Sequence, residues 1–167
     1  MPSGGSTILL LSLLVLATTI LALDDDDTCV FTIYIRTGSV WKGGTDSVIS
    51  LRLYDGYGRA AVIDDVVSWG GLMGPFHDYF ERGNLDIFTG RGPCLSGDVC
   101  AMNLTSDGTG DHHGWYCNYV EVTMSGTHKV CSGRKFTVDQ WLARDTPPYE
   151  LSAIRNYCSD FVRSGRR

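Results

Sequence analysis

The chain has 167 residues and a formal net charge of −5, with 14 Lys or Arg against 19 Asp or Glu. That length holds one domain with its own core and is too short for two beside a leader segment. No basic patch interleaved with aromatics occurs, which excludes nucleic acid as the expected partner.

Residues 1–23 carry no charged side chain and contain the apolar run from Ile8 to Leu23. An N-terminal position, a threonine pair and the small Ala22 identify a cleavable secretory signal rather than a membrane span. Four aspartates, Asp24 to Asp27, open an acidic linker over 24–28, and the body beyond it is close to neutral. No retention sequence ends the chain, so the endoplasmic reticulum lumen and export both remain open.

Alternating apolar and polar residues then predict strands. Phe31, Ile33 and Ile35 face inward in the first, and Ile49, Leu51 and Leu53 in the second, which turns at Asp55-Gly56. A return strand is expected from Arg59 to Val67. Farther on, Tyr116, Asn118, Val120 and Val122 alternate with Cys117, Tyr119, Glu121 and Thr123, and a partner strand follows the turn at Ser125-Gly126. Trp115 and Trp141 are expected in the core. The stretch from Pro148 to Cys158 suggests the one short helix. With 20 glycines and frequent turn signals, the pattern predicts an all-β, antiparallel sandwich of about eight strands.

Six cysteines, Cys29, Cys94, Cys100, Cys117, Cys131 and Cys158, imply disulfides in a secreted chain, with 15 possible connectivities. Proximity favours Cys94 with Cys100 and Cys117 with Cys131, leaving Cys29 and Cys158 to tie the ends. No paired C-x-x-C units point to zinc. His112-His113 reads as a turn rather than a metal grip, and no G-x-S-x-G elbow marks a hydrolase. Asn103-Leu104-Thr105 is a glycosylation sequon beside a strand.

The stretch from Thr32 to Arg59 resembles the opening of a PLAT/LH2 domain, the β-sandwich of lipoxygenases, polycystins and some bacterial lipid-degrading toxins. The resemblance continues through Tyr79–Gly92, Cys100–Val122 and Phe136–Asp145. It therefore places the domain at 29–145 and leaves 146–167 as a C-terminal extension. The extra cysteines and the tail are similar to the stand-alone plant branch, which includes embryo-specific proteins. The resemblance implies a non-catalytic module that binds membrane lipid, with a protein-interaction regulator in the endoplasmic reticulum lumen as the alternative. It also implies links to abiotic-stress tolerance and growth control, a monomer, and Ca²⁺ as the candidate ion.

Calcium-binding relatives use a Gly-Thr-Asp turn, matched here by Gly44, Thr45 and Asp46, with Asp55, Asp78 and Asp107 in loops that the topology could bring to the same end of the sandwich. Gly43 and Gly44 would allow backbone torsions that bring carbonyls together. The bland alternative makes these acids ordinary turn residues, and Lys42 works against a cation. Trp41, Lys42, Trp69, Leu72 and Met73, with Phe76 nearby, are the candidate membrane contacts.

Overall fold

The computed structural model describes residues 27–158; the signal segment, most of the acidic linker and residues 159–167 lie outside them. Eight strands and one short helix follow in chain order: β1 (Thr28–Thr37), β2 (Ile49–Tyr54), β3 (Ala60–Ile63), α1 (Val66–Gly70), β4 (Leu85–Pro93), β5 (Ala101–Ser106), β6 (Trp115–Gly126), β7 (Lys129–Leu142) and β8 (Ser152–Asn156). They form two four-stranded sheets, β4-β1-β6-β7 and β3-β2-β5-β8, antiparallel throughout.

The core lies between the sheets, where Phe31, Ile33 and Ile35 of β1 meet Ile49, Leu51 and Leu53 of β2, as the alternation predicted. Burying one face of each sheet is the main stabilising term. In β6 the single alternation breaks. Its register shifts between Cys117 and Tyr119, so Trp115 and Cys117 point inward before the shift and Val120 and Val122 after it. Asn118 and Tyr116 therefore do not share the inward face of Val120, which corrects the uniform pattern. Such a bulge reverses the phase of everything beyond it.

Trp115 is fully buried, and its indole N–H donates to Thr37 Oγ1 at 3.0 Å. Trp141 is only half-buried and meets the Tyr116 ring edge-on at 5.5 Å, so it is not a core residue. The expected return strand stops at Ile63. Asp65 then caps α1, its carboxylate accepting from the N–H groups of Val67 and Ser68.

The C-terminal region also differs from expectation. The predicted short helix is instead β8, which pairs with β5 as an edge of the second sheet. A boundary at 145 would cut this strand from the sandwich. Arg155 of β8 also crosses to the other sheet: its Nε donates to the Thr137 carbonyl at 2.8 Å, and its guanidinium reaches the Val138 carbonyl and Gln140 Oε1.

The disulfides join Cys29 to Cys94 and Cys100 to Cys158, while Cys117 and Cys131 are free thiols. Hairpin register rules out the expected Cys117–Cys131 bridge. Cys117 pairs with Gln140 at one end of the hairpin, and Cys131 lies next to Ser132, the partner of Met124, at the other. Seven residues of strand separate the two levels, about 24 Å. Cys94 is claimed by β1 because Thr28 stands opposite Pro93, which brings Cys29 within reach of it.

Candidate functional site

Strand direction sorts the loops into two ends. One end carries residues 38–48, 78–84, 107–114 and 143–151; the other carries 55–59, 94–100 and 127–128, with both described termini.

At the first end Gly44 lies so close to the neighbouring loop that a Cβ would sit 3.0 Å from the Arg82 nitrogen and 3.2 Å from the Phe80 carbonyl oxygen. Close approach, rather than an unusual torsion, is what this glycine supplies. The left-handed residue of the turn is Lys42, with φ of 59°. Gly43 accepts from the Tyr116 N–H at 3.0 Å, and the Thr45 N–H donates to the Phe80 carbonyl at 3.3 Å. Thr45 is buried, its hydroxyl donating to the His112 carbonyl at 2.7 Å, so it braces the loop instead of offering a ligand.

The facing loop is held as firmly. Asp86, fully buried, accepts from the Phe80 N–H at 2.8 Å and contacts His77 Nε2 at 2.6 Å. Phe80 adopts a left-handed φ of 61°, with its ring 5.7 Å from that of Phe88 and 5.2 Å from that of Trp115. This anchored turn presents Asp78 and Glu81 outward on either side of a buried ring.

The result is a group of three exposed carboxylates, Asp46, Asp78 and Glu81, each with an oxygen within 4.8 Å of the others. Neither Asp78 nor Glu81 uses its carboxylate on a described residue, whereas Asp46 Oδ2 contacts His112 Nδ1 at 3.0 Å. Sequence reasoning found Asp46 and Asp78 and missed Glu81, whose only signal is its place three residues after Asp78. Hard carboxylate oxygens, two on each residue, fit Ca²⁺, which takes six to eight oxygens and accepts water for the remainder.

Two other expected ligands do not join them. Asp107 lies at the same end, but its carboxylate accepts from the Val48 and Thr109 N–H groups and the Thr109 hydroxyl. Burial pushes the Asp107 carboxyl up, and those hydrogen bonds outweigh it, with Arg144 helping to hold it below the usual range. Asp55 is at the opposite end, because Asp46 precedes β2 and Asp55 follows it; six residues of strand put them about 20 Å apart. The buried Asp55 carboxylate accepts from four backbone N–H groups, those of Tyr57, Arg59, Ser96 and Gly97. Burial raises its pKa, but these donors outweigh that effect and leave it lowered.

The neighbouring chain segments expose apolar side chains. Trp41 is 77% exposed, with the Arg82 guanidinium 5.9 Å from its ring centroid. Leu72, Met73 and the fully exposed Phe76 lie on the segment that runs directly into Asp78. Lys42 is exposed beside Trp41. Trp69 does not belong here: it sits on α1, half-buried, with its ring where a Cβ on Gly90 would come within 2.5 Å. His112 and His113 address different carboxylates, Asp46 and Asp145, as a turn reading expects. Asn103 lies within β5 rather than beside it, half-buried between Arg52 and Ile154.

The PLAT/LH2 domain family profile matches residues 31–154. The chain belongs to that family. The chain is 59% identical over 159 residues to PLAT domain-containing protein 2 of Arabidopsis thaliana, covering 93% of this chain and 87% of the relative. PLAT domain-containing protein 3 of the same plant is 78% identical over 104 residues, which are 62% of this chain and all of the relative. Among solved structures, coral 8R-lipoxygenase aligns with a TM-score of 0.55 at 22% identity, over 75% of this chain and 16% of the lipoxygenase. That crystal structure is described as showing calcium activation via a C2-like domain. The PLAT sandwich here thus has the fold of a small part of a much larger enzyme.

Proposed function

We propose that this PLAT domain is a non-catalytic module that docks on lipid surfaces through the loop end carrying Asp46, Asp78 and Glu81, the residues that would hold Ca²⁺ there. One observation carries the reading: three outward carboxylates converge within 4.8 Å at the loop end that exposes Trp41, and the exposed Leu72 and Met73 lie on the segment that leads into Asp78. Ca²⁺ would be held by Asp46, Asp78 and Glu81, and its charge would attract anionic headgroups. Trp41 supplies an indole suited to the interface, and Lys42 adds about 1 kcal/mol of attraction to an anionic surface. Lys42 and Arg82 also work against the ion, so Ca²⁺ affinity falls at the weak, extracellular end of the range. Two disulfides support passage through the oxidising secretory pathway, to the endoplasmic reticulum lumen or beyond. A role in plant abiotic-stress tolerance and growth is part of the same reading.

The test is co-sedimentation of the full secreted chain with phosphatidylserine-containing vesicles, in millimolar Ca²⁺ and in chelator. Wild type should pellet with Ca²⁺ and largely stay in solution without it. Glu81→Gln should abolish most of that difference and most of the Ca²⁺-dependent rise in Tm. Trp41→Ala should weaken vesicle binding several-fold at nearly unchanged Tm. Indifference of the wild type to both lipid and Ca²⁺ would overturn the reading in favour of a protein partner.

A further inference from the structure

The opposite end of the sandwich holds a half-open cavity of about 410 Å³, lined by Tyr57, Asp98, Arg134, Tyr157 and the Cys100–Cys158 disulfide. Its volume lies within the range of small-molecule sites, about 300–1,000 Å³. Arg134 faces it because Arg134 pairs with the inward Val122 across β6 and β7, yet lies beyond the cover of the second sheet.

The walls are fixed in advance. Asp55 staples the two loops that form one side, with Oδ1 accepting from Tyr57 and Arg59 and Oδ2 from Ser96 and Gly97. Gly97 has no side chain where the Tyr57 ring lies; a Cβ there would come within 2.9 Å of the ring. Tyr157 is held by its N–H donating to the Cys100 carbonyl at 2.8 Å, by the adjacent disulfide and by stacking on Phe136 at 5.6 Å. Both tyrosines nonetheless stay open to solvent, Tyr57 at 72% and Tyr157 at 44%. Rigid side chains with open faces reduce the ordering cost of binding.

Charge disfavours any guest that carries a single sign or none of the polar groups these side chains need. Asp98 can only accept hydrogen bonds and Arg134 can only donate them. Neither side chain is engaged by another described residue. A carboxylate or phosphate would gain from Arg134 and be repelled by Asp98, and an amine would meet the reverse. A purely apolar guest would leave both charges desolvated without a partner. A neutral ring bearing hydroxyls avoids all three penalties, since each hydroxyl both donates and accepts. Its C–H face also meets the negative face of a tyrosine ring favourably.

We propose that this cavity is a carbohydrate-binding site, taking a neutral sugar residue of a glycan through Tyr57 and Tyr157 as stacking surfaces and Asp98 and Arg134 as hydroxyl partners. It is separate from the calcium end and does not depend on it.

The full secreted chain would be screened on an array of immobilised neutral oligosaccharides, fragments of xylan, mannan and galactan, and hits titrated by calorimetry. At least one neutral oligosaccharide should bind. Tyr57→Ala should weaken it about tenfold or more while Tyr57→Phe, which keeps the ring, stays close to wild type. Arg134→Gln and Asp98→Asn should each cost several-fold. Tyr57→Ala and Arg134→Gln change exposed side chains, so an unchanged Tm shows that the fold is intact. Glu81→Gln should leave sugar binding unaltered, and Tyr57→Ala should leave vesicle binding unaltered, so this site and the calcium end are judged separately. An array without a signal above the Tyr57→Ala background overturns the proposal. So does affinity that survives Tyr57→Ala, or tighter binding of benzoate, the aromatic-anion probe, than of any sugar.

Discussion

Asp55 applies each carboxylate oxygen to two backbone donors, and that division makes it hard to replace. In Asp55→Asn one arm becomes an NH₂ group, which would confront two N–H groups it cannot accept. Leaving buried donors unpaired in this way should cost about 2–4 kcal/mol, read from the urea midpoint. The pH dependence follows from the lowered pKa. Its contribution is fully present above the unfolded value, about 3.9, and is lost as pH falls through the lower folded value. The gap between wild type and Asp55→Asn should therefore narrow in strong acid, and urea melts across the acid range would show it. At this scale the sequence was informative about which residues matter and less so about why. Asp-Gly after an alternating run marked a turn, but the acid's partners Ser96 and Gly97 lie some forty residues away. Its exclusion from the end that carries Asp46 was nonetheless readable, because an acid before a strand and one after it cannot share an end.

The elements were legible wherever one face of a strand is buried and period two holds, as in β1 and β2. They were obscured where register shifts, as at Cys117–Tyr119, and where a short polar-apolar stretch is decided by its neighbours. β8 has too few residues to declare itself, and the open edge of β5 makes it a strand. Glu81 was missed for a similar reason: a left-handed Phe80 places it, and no local pattern announces a non-glycine residue in that conformation. The β6–β7 hairpin also carries the thiol prediction. The oxidised protein, denatured without reductant, should titrate with two thiols per chain by a chromogenic disulfide reagent. In the native state only Cys131 should react quickly, since Cys117 is buried and burial, with Asp139 nearby, pushes its pKa far up. Zero thiols in the denatured chain would restore a third bridge, and four would remove one of the two assigned here.

Across the whole molecule the two ends differ in kind. Loops at one end expose like-charged carboxylates, and the other end holds an open cavity with both signs of charge on its walls. The rigid sandwich between them would let a lipid surface and a glycan be engaged at once, a geometry in which each attachment raises the effective concentration for the other.

The contact of Arg155 with the Thr137 and Val138 carbonyls bears on a hazard that binding assays never probe. β7 runs for 14 residues along the border of its sheet, and a border strand of that length is a template onto which a second chain can add. The guanidinium sits on that border at Thr137 and Val138, in the way of such an incoming chain, and Lys129, Arg134 and Lys135 add repulsion along the remainder. Arg155→Ala should therefore alter shelf life more than ligand binding. The variant, incubated with agitation at high concentration, should form thioflavin-positive fibrils well before wild type. Equal lag times would mean that the lysines and arginines of β7 protect the border without help.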